Sequence, residues 1–424
     1  MKNRVPRVQL ALLLIISFFI GFYFGTTKVK FDWQNYHPKI QAISKEPPPE
    51  LTTVDFSQFW TVWQKLAENY YDKSKLDPQK MLNGAIEGMV QSLGDPFTLY
   101  LPPTQNDNFK QGLAGQFSGI GAELGTKDKD IIVISPLDGS PAQKAGIRAS
   151  DVIIKVDGQD TTGWNLSQAV EKIRGQRDTF VTLTVLHKND RTPIDIKIKR
   201  DVITVKSVSG WIKKVGDVEG IQKTDTIKNS QDASVSYIRL SQFGDNTNKD
   251  WLALIDNLQT EIKKQSNFKG IILDLRNNPG GYLTDAVFIG SEFLPQGRTV
   301  VMEENGNSDK KSLTVTRQGK FLNTPVIVLI NKGSASASEI VAGALRDHSR
   351  AKLLGDTSFG KGTIQQAEDL GNGAGIHVTI AKWLTPNGTW VNGTGLTPDI
   401  PVSLDSKEQS HDTQLEKAVE ELIK

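Results

Sequence analysis

Two residues that can do covalent chemistry stand in small-residue turns of this 424-residue chain, Ser336 in Gly333-Ser334-Ala335-Ser336 and Lys361 in Phe359-Gly360-Lys361-Gly362. Ser336 falls between an apolar run, residues 325–331, and a helical pattern over 338–348. Amides at such a helix start can polarise an oxyanion, and small neighbours allow close approach. A plainer role is equally open, because Ser334, Ser336 and Ser338 are all good helix caps, although one would suffice. Asn278-Pro279-Gly280-Gly281, ahead of a helical pattern at 283–294, offers amides for the other half of an oxyanion hole or simply a helix-initiating turn. Lys361 nearly completes a phosphate loop with Gly355 and Gly360. However, Gly362 replaces the magnesium-binding hydroxyl, and a strand pattern follows where a helix should cradle phosphate. A lysine between two glycines is commonly solvated. If buried instead, it loses its proton more readily and can act as base to a serine.

Other chemistries lack their groups. With no cysteine there is no thiol nucleophile, disulfide scaffold or thiolate metal site. None of the five histidines (37, 187, 348, 377, 411) is spaced as a ligand pair, so no catalytic metal is expected. His348 as a base would sit three turns down the helix that Ser336 begins, roughly 18 Å away at 1.5 Å per residue. Fifty basic against 48 acidic residues, evenly spread, give no nucleic-acid footprint.

The elements that must position these turns read as an α/β sheet layered by helices. Strand patterns at 270–275, 325–331 and 351–354 each lead into one of the turns, and ligand sites of such sheets lie at the strands' carboxyl ends. Residues 109–202 read instead as a β-rich unit, with strands near 131–134, 152–156, 181–186 and 194–198 and short helices at 142–145 and 166–173. Residues 56–91 carry helical spacing whose aromatic stripe, Phe56, Phe59, Trp60 and Trp63, is expected as core, with self-association as a further reading. The chain closes on an amphipathic helix, 413–423.

The N-terminus suggests an address. Lys2, Arg4 and Arg7 precede an apolar run that reaches bilayer length over residues 8–27, and no A-x-A cleavage pattern follows. An uncleaved anchor is expected, with the body on the extracytoplasmic side of the cell membrane. Residues 28–53, with Pro47, Pro48 and Pro49, read as a stiff linker without an apolar period. At this length at least two domains are expected. The divisions drawn are 1–27, 28–53, 54–108, 109–202, 203–405 and 406–424.

The stretch Asn331-Lys332-Gly333-Ser334-Ala335-Ser336-Ala337-Ser338-Glu339-Ile340, followed by Phe359-Gly360-Lys361-Gly362-Thr363-Ile364-Gln365, resembles the core of the carboxyl-terminal processing (tail-specific) serine proteases, in which serine and lysine lie 25 residues apart with a glutamine four further on. The resemblance extends to Asp274-Leu275-Arg276-Asn277-Asn278-Pro279-Gly280-Gly281, to Gly395-Leu396-Thr397-Pro398-Asp399, and to a PDZ-like opening, Phe117-Ser118-Gly119-Ile120-Gly121-Ala122. It covers about residues 55–424. It implies Ser336 as nucleophile, Lys361 as general base, Gln365 as the lysine's orienting partner, and Ala337 with Gly280 or Gly281 as oxyanion amides, with no cofactor required. It also implies that Gly119, Ile120, Gly121 and Ala122 bind a substrate's C-terminal carboxylate beside an added strand. Arg174 is read either as solvated or as pairing with a carboxylate or a protease-domain loop, through which the PDZ-like unit would gate Ser336. Protein and peptide C-termini are then the partners, with homo-oligomerisation a further one. The rival reading is an inert membrane-anchored PDZ scaffold. Some Gram-positive relatives carry a wall-binding module, which the residues after Leu404 do not imply.

Overall fold

The computed structural model describes residues 16–18, 29–34, 37–42, 54–127, 130–137, 139–164, 166–188, 190–404 and 411–424, which fall into two units, 1–82 and 83–424. Among the described residues no helix is long and apolar enough to cross a membrane. The expected anchor at 8–27 lies, apart from 16–18, outside them. The expected linker contains an antiparallel hairpin, β1 (Val29–Gln34) with β2 (His37–Ala42). Its signal in the sequence is the alternation Val29-Lys30-Phe31-Asp32-Trp33, which the proline run further on obscures. Helix α1 (Ser57–Asn69) carries the aromatic stripe, but none of its residues is buried and Trp60 is 61% exposed. The stripe is therefore not core. Phe59, Trp60 and Trp63 pack on one another, 5.0 to 6.3 Å between ring centroids.

Next come helix α2 (Pro78–Gln91), strand β3 (Leu99–Leu101), helix α3 (Pro103–Leu113) and strand β4 (Gln116–Gly119). The β-rich unit follows with β5 (Ala122–Lys127), β6 (Asp130–Pro136), α4 (Pro141–Lys144), β7 (Val152–Val156), β8 (Gln159–Asp160), α5 (Leu166–Ile173), β9 (Phe180–Leu186), β10 (Ile194–Lys199) and β11 (Asp201–Thr204). Its sheet runs β10-β9-β7-β6-β5, with β8 on β7, and β11 returns to pair with β4. Alternate residues of β9, Val181, Leu183 and Val185, are buried with Ile131, Val133 and Ala169. Period-two burial of this kind is what a one-faced antiparallel sheet requires. Strand β5 is an edge of the sheet and packs beside α5.

The larger layer is built from β12 (Val208–Lys214), α6 (Asp225–Asn229), β13 (Ser234–Leu240), α7 (Thr247–Ile262), β14 (Phe268–Asp274), α8 (Leu283–Gly290), β15 (Thr299–Asn305), β16 (Lys310–Thr314), β17 (Val326–Ile330), α9 (Ala337–Asp347), β18 (Lys352–Gly355), β19 (Thr363–Gly371), β20 (Ala374–Leu384), β21 (Ile400–Pro401) and α10 (Thr413–Ile423). One sheet runs β12-β13-β14-β17-β18-β21, parallel from β13 onward. Every residue of β17 is buried, as a strand covered on both faces demands. One face packs on α7, α8 and α9 through Trp251, Ile289, Phe293 and Val341. The opposite face carries α6 and α10, with Ile227, Leu415 and Val419. A second, antiparallel sheet, β16-β15-β20-β19 with β3 on β20, stands beside it. The α/β class with helices on both faces and the separate β-rich unit agree with the sequence reading. The second sheet was not anticipated, since only a strand end at 363–366 was legible.

Candidate active site

The parallel strands β14 and β17 end side by side, so the turns that follow them are stitched together. Ser334 Oγ donates to Leu275 O (2.8 Å), Ser338 Oγ to Asn278 O (2.9 Å), and Ala335 N–H to Asn278 O (3.0 Å). Both outer serines are fully buried in these bonds. Ser336 stands apart as the half-buried first residue before α9, with φ at 55° and ψ at −115°, a conformation a serine adopts only when its surroundings impose it. Gly280 explains the proximity of the two turns. At φ 94° a Cβ there would lie 2.8 Å from Ser336 Cβ and 2.9 Å from Ala337 N, so only glycine lets the 278–281 turn close on the serine.

The amides sort themselves. Gly280 N–H donates to Asn278 Oδ1 (2.9 Å) and Gly280 O accepts from Phe243 N–H (2.9 Å). Among the described residues Gly281 N–H and Ala337 N–H have no acceptor. Of the two glycines left open by the sequence, Gly281 is the one with a donor to spare.

Lys361 reaches the same cavity from the turn after β18. Glu339, in the first turn of α9 and fully buried, connects them. Its Oε2 accepts from Ser336 N–H (2.8 Å) and Lys361 N–H (2.9 Å), and its Oε1 from Gly360 N–H (2.7 Å) and Ser358 Oγ (2.6 Å). Four donors are what a carboxylate taken from water requires, and here they lock two turns to one side chain. Gly360, at φ 88°, is packed so that a Cβ would meet Gly395 N at 2.8 Å, which brings the loop 391–395 down over the lysine turn.

The Lys361 ammonium group has no hydrogen bond or ion pair among the described residues and lies 5.1 Å from the Phe97 ring centroid. Burial holds its pKa below the ordinary 10.5, opposed only in part by the Asp95 carboxylate. Gln365 lies on β19 with its Nε2 donating to Thr363 Oγ1 (2.9 Å) and Thr379 Oγ1 (3.0 Å), and it makes no bond to Lys361. Ser336, Lys361, Gln365, Gly280 and Gly281 all line one cavity of about 610 Å³ whose walls are otherwise largely apolar.

Sequence reasoning missed two residues here. Glu339 was visible only as part of a motif. His377, on β20, lines the cavity 8% exposed, stacked edge-on at 4.3 Å against Phe109. Burial, with the Lys361 charge, depresses its pKa below 6.5. No local signal could have placed it, since its position follows from the β19–β20 register, Ala367 opposite His377. His348 caps the far end of α9 and bonds Thr299 O (2.7 Å). No cluster of potential metal ligands occurs among the described residues.

In the β-rich unit Gly119 ends β4 and Ala122 starts β5, so Ile120-Gly121 forms the connection. The two carbonyls are tied to Ala142 N–H (2.8 Å) and Leu137 N–H (2.9 Å), while the two N–H groups have no acceptor among the described residues. Arg174 lies 4.8 Å over the Phe117 ring, on β4, and not on a loop of the larger layer.

Comparison with known proteins agrees with this architecture. Residues 234–402 match peptidase family S41, residues 109–186 a PDZ domain, and residues 15–104 the activating protease CtpB N-terminal domain. The chain is 36% identical over 349 residues to the carboxy-terminal processing protease CtpA of Bacillus subtilis, covering 82% of this chain and 69% of that one. It is 38% identical over 340 residues to CtpB of the same organism, covering 80% and 66%. Among solved structures, the photosystem II D1 C-terminal processing protease superposes with a TM-score of 0.50 at 30% identity, over 81% of this chain and 92% of that one. A putative S41 protease from Bacteroides fragilis shares the fold, with a TM-score of 0.56 at 15% identity over 92% and 98%.

Proposed function

The chain belongs to peptidase family S41, as a carboxy-terminal processing serine protease with a PDZ domain, and on that premise we propose that Ser336 and Lys361 form its catalytic dyad. The observation that carries the reading is the cavity itself. A conformationally strained serine and a partly buried lysine without a hydrogen bond or ion pair among the described residues line it together, their backbones fixed by the same carboxylate of Glu339.

Neutral Lys361 takes the Ser336 proton as Oγ attacks a peptide carbonyl, and the oxyanion settles between the free amides of Ala337 and Gly281. The lysine then returns the proton to the leaving amine and deprotonates water for deacylation. Each amide contributes about 3 kcal/mol to lowering the barrier. Gln365 acts through the Thr363 and Thr379 hydroxyls it holds, steadying the start of β19 just beyond the turn that carries Lys361. The carboxylate of a substrate tail docks on the amides of Ile120 and Gly121 while the tail pairs with β5. Residues 8–27 tether the body to a membrane, a point decided by whether the intact chain sediments with membranes. The cleavage itself is tested by incubating the chain with an unfolded protein. Fragments should appear with the wild type and not with Ser336→Ala, and equal cleavage by both would refute the assignment.

A further inference from the structure

One buried carboxyl takes no part in this chemistry. Asp285, in the first turn of α8, is 5% exposed. Its Oδ1 accepts from Asn248 Nδ2 at 2.9 Å, but among the described residues its Oδ2 has no partner, and neither has Asn248 Oδ1. Two orphaned acceptors on one bonded pair of side chains is a costly arrangement for buried groups. A single proton removes both faults. A protonated carboxyl donates from Oδ2 to Asn248 Oδ1 while Asn248 Nδ2 donates to Oδ1, closing the two-bond ring of an acid–amide pair.

The pair closes a seam that runs to the active site. Phe243 N–H bonds Gly280 O (2.9 Å), Tyr282 N–H bonds Phe243 O (3.1 Å), and Tyr282 OH bonds Asp245 Oδ1 (2.9 Å). Asn248 and Asp285 come next along the same two segments. The 243–248 segment is held in turn to residues 113–114, by Asp245 N–H to Leu113 O (2.9 Å) and Asn246 Nδ2 to Ala114 O (3.2 Å). We propose that Asp285 is a positioning residue whose protonated carboxyl, paired with Asn248, fixes the turn that presents Gly281 N–H to the oxyanion. This rests on the assignment of that amide under Proposed function.

The surroundings favour the proton. Burial pushes the Asp285 pKa up to about 6 against the Asn248 hydrogen bond, and the Asp245 carboxylate adds to the rise. Tyr282, the residue before α8, turns its phenol to Asp245. Several charged groups on the neighbouring elements are engaged elsewhere. Asp256 of α7 pairs with Lys320, Glu339 and Arg346 of α9 bond the 358–361 turn and Thr397 O, and Glu304 of β15 pairs with Lys382.

The test uses the full chain and an unfolded protein substrate between about pH 5 and pH 8, the window that brackets a carboxyl titrating near 6. Asp285→Asn supplies a permanent amide donor in place of the proton, so its kcat relative to wild type should rise about tenfold across that window, the worth of one buried hydrogen bond. Asp285→Ala loses both bonds and should lower kcat with little change in KM. A purely structural role would leave the pH dependence of the ratio flat. Independently of proteolysis, pH-difference infrared spectra of the wild type should show the carbonyl band of a protonated carboxyl disappearing as pH rises through about 6, and Asp285→Asn should lack it. A flat kcat ratio, or the absence of that band, overturns the proposal. The infrared result stands whether or not Ser336 proves to be the nucleophile, so the two failures are separable.

Discussion

Lys361 shows how stability and chemistry oppose one another at a single residue. Its charged form is disfavoured by burial, so folding lowers its pKa from 10.5. The unfolded chain therefore binds the proton more tightly, and the cost to the fold is present at neutral pH and relieved only as pH rises from the folded pKa towards 10.5. Lys361→Met should therefore raise the thermal midpoint near pH 7 by a few degrees while abolishing cleavage, and a lower midpoint would argue against a buried cation. In wild type, kcat should climb on the alkaline side as the amine loses its proton. The residue types of this site were legible in the sequence because serine, lysine and glycine sit in turns at strand ends. Glu339 was not, because a glutamate in the first turn of a helix reads as ordinary capping. Only the fold brings Gly360, Lys361 and Ser358 onto its two oxygens.

Elements decide what those residues can reach. The helices at 166–173 and 413–423 and the strands β14, β17 and β18 were readable from periodicity, since each has one clear apolar pattern, and the three strands run into turns that carry glycine or serine. The second antiparallel sheet was not, because β19 is largely exposed and mostly polar or charged, and β20 lacks a clean alternation of buried and exposed positions. Helix α1 failed in the opposite sense, its aromatic spacing being genuine but unburied. At this scale the 278–281 turn is the most constrained piece, held by Asn278 to Leu240 O (2.8 Å) and by Ser338 to Asn278 O (2.9 Å). Gly280→Ala places a methyl 2.8 Å from Ser336 Cβ at φ 94°. It should lower kcat by at least about a hundredfold, because the oxyanion amide is displaced with the turn. Turnover within a few-fold of wild type would mean that this turn does not shape the site.

The whole molecule places the PDZ domain on the same unit as the cavity of Ser336 and Lys361, and α3 touches both. Phe109 and Leu113 of that helix line the cavity, and Leu113 O holds Asp245 at the start of the seam to Gly281. The proposed tail recognition therefore has a plain test in matched peptides, one with a free C-terminal carboxylate and one amidated. Amidation removes the charge that Ile120 and Gly121 N–H would bind, so it should raise KM about tenfold or more, as losing a charge-assisted contact does. Equal KM values would assign tail specificity to the protease cavity alone.

The central claim, a serine made nucleophilic by a neutral lysine, is most directly met by covalent labelling. An electrophilic, serine-directed phosphonate incubated with the full chain should add once, at Ser336, by mass spectrometry of the digested protein. Labelling should disappear in Lys361→Arg, whose guanidinium stays protonated at working pH. A label on another residue, or undiminished labelling of Ser336 in Lys361→Arg, would contradict the dyad.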